Sequence, residues 1–187
     1  MTAWQWLERV AANPRFVFTA KLWQEFTHEL NLTEANEKEF RPGPGIEMLR
    51  EADKLGALLA QFPWSFKNTV ENRRYLRKLV KRFRDFPLVV EVRHASWNQP
   101  DFYERLGEHG VGFCNIDQPV IGRSLGPSGR TTAPVGYVWL HGRNYDEWFR
   151  EHDDGGAERY NYLYSAEELE PIAAPGGITP SLFPPPS

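Results

Sequence analysis

Five short apolar runs in this 187-residue chain each stop on side chains that can bind an anion or move a proton. The run at 16–21 ends on Lys21. The run at 58–63 carries Gln61, and the run at 88–94 ends on Glu91, Arg93 and His94. The run at 111–117 ends on Asp117, and the run at 137–143 carries His141. In Glu91-Val92-Arg93 the period of two puts both charges on one face of a strand. Such a pair sets the ionisation of the Glu and aims the guanidinium at a substrate carboxylate or phosphate. The plain alternative is a structural ion pair. Lys21 binds an anion or, if desolvated, forms an imine. No sequence feature points to a lowered pKa, so anion binding is the preferred reading, and an ion pair with an interior carboxylate is the plain one. Imidazole titrates near neutrality, so His141 and His94 are acid/base candidates. Either can instead be a buried ring bonded to a loop carbonyl, and His94 falls on the outward phase of the alternation. Asp117 and Glu91 together form a carboxylate pair suited to acid/base work on a sugar. Gln61 can bond a substrate hydroxyl. His28, after Thr27, closes over the site or simply ends a loop. Phe62, Trp97 and Trp139 can stack on a sugar or base, although such residues ordinarily belong to a core. The assignment is therefore Glu91, Asp117 and His141 as catalytic residues, with Lys21, His28, Gln61, Arg93, His94 and Trp97 as substrate-binding ones. Two His and a carboxylate are also a metal-ligand set, but no tight ligand spacing is present and no metal is assigned. The sequence names no cofactor.

These residues need a scaffold that brings strand ends together. Thr2 caps a first helix carrying Trp4, Leu7 and Val10 at helical spacing. The first strand begins at Phe16. The polar stretch from Thr27 to Gly45 reads as loop, 46–55 as helix, 58–62 as strand and 69–83 as a helix with Leu76, Leu79, Val80 and Phe83 in its apolar stripe. Strands at 88–92, 111–116 and 136–140 follow, with a helix at 99–109 and a Gly/Ser/Pro-rich loop at 118–134. Ser165 and Glu168 have the spacing of a capping box. Apolar strands alternating with amphipathic helices predict a parallel sheet with right-handed crossovers and a site at the carboxyl ends of the strands. The predicted domain covers 1–173, followed by a Pro-rich, disordered tail at 174–187.

The apolar fraction of 41% is enough for one packed domain, and the net charge of −3 favours neither a nucleic-acid nor an acidic partner. No stretch approaches the roughly 18 apolar residues of a membrane span. The lone Cys114 fits a reducing compartment, and the N-terminus lacks an apolar signal core, so a cytoplasmic location and no membrane partner are expected. Seven cations between Arg73 and Arg84 make one helix basic, which reads first as a solvated face and second as a nucleic-acid patch. Residues 144–156 read as an acidic surface excursion.

Taken in order, Phe18-Thr19-Ala20-Lys21 with Thr27-His28, Gln61-Phe62-Pro63, Glu91-Val92-Arg93-His94 with Ser96-Trp97, Asp117 with Pro119, and Leu140-His141-Gly142 resemble the signatures of the YecE-like family, domain of unknown function 72. The resemblance runs over roughly residues 4 to 172. It implies a TIM-type (β/α) barrel with its site at the carboxyl face. It also implies two N-terminal strands with a Gly-Trp-type motif and a last strand ending in paired Asn, neither of which this sequence contains. The expectation is therefore an α/β fold: a partial barrel of about five parallel strands with flanking helices, lacking the first two strands and the last. Trp139 stands where the family more often has Arg. The expected function is a small polar or anionic (sugar or phosphate-bearing) substrate handled by acid/base chemistry. The alternatives are a nucleic-acid-binding or processing protein, separated by its salt dependence, and an inactive fragment. Five strands leave two sheet edges, so self-association is expected of the chain alone.

Overall fold

A computed structural model describes residues 2–41, 45–126, 128–145 and 160–173. Five strands form one sheet in chain order: β1 (Phe18–Lys21), β2 (Leu55–Gln61), β3 (Leu88–Glu91), β4 (Gly112–Asp117) and β5 (Tyr137–Leu140). Every pairing is parallel. The sheet curls into a half-barrel of the TIM type with helices on its convex side, as the order of elements predicts. Between β1 and β2 lie α2 (Gln24–Thr27), α3 (Glu34–Phe40) and α4 (Ile46–Glu51), while α5 (Val70–Arg82) links β2 to β3 and α6 (Pro100–Glu108) links β3 to β4. α1 (Ala3–Val10) precedes the sheet and α7 (Ala166–Ala173) follows it. The 174–187 tail and most of the 144–156 excursion lie outside the described residues.

Local chemistry explains most of the boundaries. Thr2 and Gln5 form a full capping box on α1. Thr69 accepts from the Asn72 amide at the start of α5, and Ser165 and Glu168 bond reciprocally at the start of α7. The predicted stripe of α5 is buried: Leu76, Leu79, Val80 and, just beyond the helix, Phe83.

The stretch read as loop holds the helix α3, and α2 ends on its first residue, Thr27. α2 is a single turn, and α3 buries only Phe40, so neither offers a periodic stripe. Thr33 caps α3 through the Asn36 amide, and Arg41 clamps its end to Glu37, Glu47, Asp85 and the Arg82 carbonyl. The helix predicted to reach Leu55 stops at Glu51. Asp53 then takes a left-handed conformation (φ 54°), and Leu55 opens β2 three residues earlier than predicted. Gly56 is needed there, because a Cβ would lie 2.6 Å from Val17 Cγ2.

Two cores result. The larger lies between sheet and helices. It includes the aromatic cluster Phe26, Phe40 and Phe83, and Phe62, Phe66 and Trp97 stacked in series. The smaller lies on the concave face: Ala57, Leu59, Val89, Cys114 and Ile116, with Tyr137 and Trp139 half-buried against them. Among the described residues no helix lies between β4 and β5, and on the outer face of β5 Val138 and Leu140 remain 40% and 39% exposed. None of the described helices is long and apolar enough to cross a membrane.

Candidate functional site

The concave face of the sheet sets the phase of the site. Leu59 and Val89 face inward, so Gln61 and Glu91, one period on, do the same, and Arg93 continues that phase past the end of β3. Lys21 ends β1, and His141 follows β5 in phase with Trp139. These five side chains meet. Glu91 is 0% exposed and accepts from Gln61 Nε2 at 2.9 and 2.8 Å and from Arg93 Nε at 2.9 Å. Lys21 Nζ donates to Gln61 Oε1 at 3.1 Å and lies 4.0 Å over the Trp139 ring. Arg93 Nη2 lies 3.4 Å from His141 Nε2. His141 stacks on Trp139 at 5.5 Å and meets the Tyr160 ring at 5.8 Å. The Cys114 thiol, 4.0 Å from Glu91 Oε2, forms the floor. Burial first, then the Glu91 carboxylate, hold that thiol protonated.

The charges do not cancel. Among the described residues of the cluster, Lys21 and Arg93 are opposed by Glu91 alone. His141 is pushed down to about 4, chiefly by burial and then by the Arg93 and Lys21 cations. It is therefore neutral near pH 7. This makes a prediction. Below its ordinary value of 6.5 the unfolded imidazole takes up a proton that the folded one refuses, so stability is full above that pH and falls until about pH 4. The loss is about 3 kcal/mol at 1.36 kcal/mol per pKa unit. Urea midpoints across this window should fall less steeply in His141→Gln, and parallel profiles for the two proteins would refute the assignment.

Four predicted site residues lie elsewhere. Asp117 is out of phase with Cys114 and Ile116, so its side chain leaves the concave face. It accepts from Arg143 Nε at 3.1 and 3.0 Å and from the Tyr164 hydroxyl at 2.6 Å. Arg143 also reaches Glu168 (3.2 Å), to which the Tyr162 hydroxyl donates at 2.6 Å. This network ties residues 160–168 to the end of β4, and it separates Asp117 from Glu91. His94 is buried and caps the short turn Ala95–Trp97: Nδ1 accepts from the Ser96 amide at 3.1 Å, and the ring meets Trp64 edge-on. Trp97 is core, stacked on Phe66, with Nε1 donating to the Phe66 carbonyl at 2.7 Å. His28 is exposed at the end of α2, its Nδ1 2.9 Å from the Thr27 hydroxyl. Trp139 and Cys114 are the residues of the cluster that the assignment omitted.

A curled parallel half-barrel with a charged cluster at the carboxyl ends of β1, β2, β3 and β5 defines an α/β protein of the TIM-barrel type. The chain belongs to the family described as "Protein of unknown function DUF72", which it matches over residues 2–175. It is 35% identical over 129 residues to the UPF0759 protein YunF of Bacillus subtilis (strain 168), an alignment covering 64% of this chain and 45% of YunF. The crystal structure of a DUF72 family protein from Thermotoga maritima superposes with a TM-score of 0.76 at 34% identity, covering 91% of this chain and 65% of that one. A DUF72 family protein from Enterococcus faecalis V583 gives a TM-score of 0.72 at 27% identity, covering 87% and 64%. The chain thus spans about half the length of YunF and about two thirds of the solved structures.

Proposed function

We propose that the concave cluster binds a small polar or anionic substrate and acts on it by acid/base chemistry. One observation carries the reading: a fully buried carboxylate, Glu91, is held by Gln61 and Arg93 at the carboxyl ends of the strands, while Lys21 and Arg93 leave one positive charge in excess. Buried charge of this kind is costly to a fold and concentrates at working sites. Arg93 remains partly exposed, with Nη2 beside His141. It grips a carboxylate or phosphate, and Lys21 adds the second contact. His141, uncharged, takes a proton from the substrate. Glu91 fixes Arg93 and counters the charge that develops. The Arg143–Tyr164 network around Asp117 positions the loop that bears His141. Titration calorimetry with inorganic phosphate and with small carboxylates tests this. Arg93→Ala is expected to weaken binding by about ten-fold or more. Equal binding by both proteins would defeat the reading.

Nucleic-acid binding is the second reading, since Arg74, Arg77, Lys81 and Arg84 are exposed and have no hydrogen-bonding side-chain partner among the described residues. Three features weigh against it. Arg82 pairs with Glu37, and Lys78 is bonded to the Leu32 carbonyl. The cleft of about 360 Å³ beside the basic helix also has Asp101, Glu104 and Glu108 on its α6 side. Binding of a labelled oligonucleotide that weakens steeply with salt would reverse the preference.

A further inference from the structure

The amine of Lys21 has an unusual set of neighbours. It is exposed, on an edge strand, at the carboxyl end of the sheet. Its two contacts are the neutral Gln61 amide oxygen and the face of Trp139. The nearby carboxylate is already engaged: both Glu91 oxygens accept from Gln61, and one also accepts from Arg93. Lys21 makes no salt bridge among the described residues, whereas Lys38 pairs with Glu34 and Lys54 is fixed on the Asn13 and Pro14 carbonyls. The groups facing it are Gln61 from β2, Glu91 and Arg93 from β3, Cys114 from β4 and Trp139 and His141 from β5.

We propose that Lys21 is a nucleophile that forms an imine with a small substrate carrying a carbonyl next to a carboxylate or phosphate. The proposal rests on the anion-binding reading above, in which Arg93 holds the acidic group and so places the carbonyl carbon toward β1. Although the residue as a whole is exposed, partial desolvation of the amine lowers the Lys21 pKa; Glu91 opposes this and Arg93 adds to it, so more of the amine is in its reactive free-base form. The neutral nitrogen attacks the carbonyl carbon, the C–N bond forms, and the carbonyl π pair moves to oxygen. One proton passes from nitrogen to that oxygen, giving a carbinolamine. Protonation of the hydroxyl then expels water and leaves the iminium. Neutral His141 can relay the first proton from nitrogen to oxygen, and the further proton that expels water comes from solvent, to which the Lys21 ammonium released it on becoming the free base. The iminium keeps the positive charge that Lys21 carried as an ammonium, over the Trp139 ring and within the field of Glu91.

The test incubates the full chain with glyoxylate and cyanoborohydride, which reduces only the iminium, and maps carboxymethyl-lysine by peptide mass analysis. Glycolate, the same anion without the carbonyl, is titrated in parallel. The expected result is modification of Lys21 about ten-fold above Lys67, a lysine that also lies on a Trp ring, Trp64, but away from the concave cluster. Lys21→Arg keeps the charge and should lose that adduct alone. Glycolate binding with no preference for Lys21 would overturn the imine and leave the anion site standing. A Lys21 adduct without glycolate binding would uphold the imine and remove the anion site. If neither occurs, both fall. Because the map is read on the unaltered chain, the outcome does not depend on the variant folding.

Discussion

Glu91→Ala should be the most damaging single change at the site, costing about 3 kcal/mol of stability, the lower end of the range for breaking a buried ion pair. Glu91 is wholly enclosed, and its loss breaks three contacts at once and strands two donors, Gln61 Nε2 and Arg93 Nε. Arg93 keeps some solvent, since its side chain is 24% exposed, and this holds the cost near the lower end. Lys21 also loses the carboxylate that most favours its protonated form among the described residues. A loss of this size is a large fraction of the roughly 5–15 kcal/mol that holds a domain together. The contrast lies in the double change Glu91→Leu with Arg93→Met. Removing both partners leaves no uncompensated charge, so most of the stability should return while anion binding stays lost. Urea unfolding midpoints of the three proteins, measured at low concentration, decide the matter. If the double variant is as unstable as Glu91→Ala, the cost lies in packing and not in the stranded charge.

The fold was largely legible because its strands are nearly continuous apolar runs and α5 and α6 carry clear stripes. The site was legible only in part. Position at a strand end selects Lys21, Gln61, Glu91, Arg93 and His141, whose side chains meet on the concave face, but it also selects Asp117, whose side chain does not join them. The difference is one of phase. β4 is buried on both faces, so its sequence shows no alternation that says which of Ile116 and Asp117 points inward. Only its place in the sheet decides, with Cys114 and Ile116 packed beside Leu59 and Val89. His94 and Trp97 lie away from the cluster for another reason. Both do local structural work, a turn cap and a core stack, and their partners Ser96 and Phe66 have no distinctive spacing. The Asp117–Arg143–Tyr164–Glu168 network spans more than fifty positions, and no local pattern announces it.

The chain by itself is expected to self-associate, and the sheet shows why. Among the described residues β1 and β5 each pair with one neighbour, so each presents a row of unpaired backbone donors and acceptors. The edges are poorly defended. β1 has a single charge, Lys21, at its very end, and β5 (YVWL) has none. Ahead of β1, Phe16 and Val17 are 41% and 49% exposed, and Val138 and Leu140 are similarly bare along β5. The concave face adds to this, because Tyr137 and Trp139 are only half-buried against a small apolar cluster. Covering a large apolar side chain is worth about 1.5–3 kcal/mol, so enclosing four or five of them is comparable to the stability of the whole domain. Both edges run in the same direction and offer aromatic or β-branched side chains, which suits pairing with another strand. Light scattering after size exclusion should therefore give a mass above the 21.7 kDa of one chain, rising with concentration. Charges placed on the bare face of β5, as in Val138→Lys with Leu140→Glu, should shift the population toward the monomer. A monodisperse monomer with a cooperative melt in the ordinary mesophilic range would show that the open edges are tolerated, and the argument from exposed pairing surface would then be wrong.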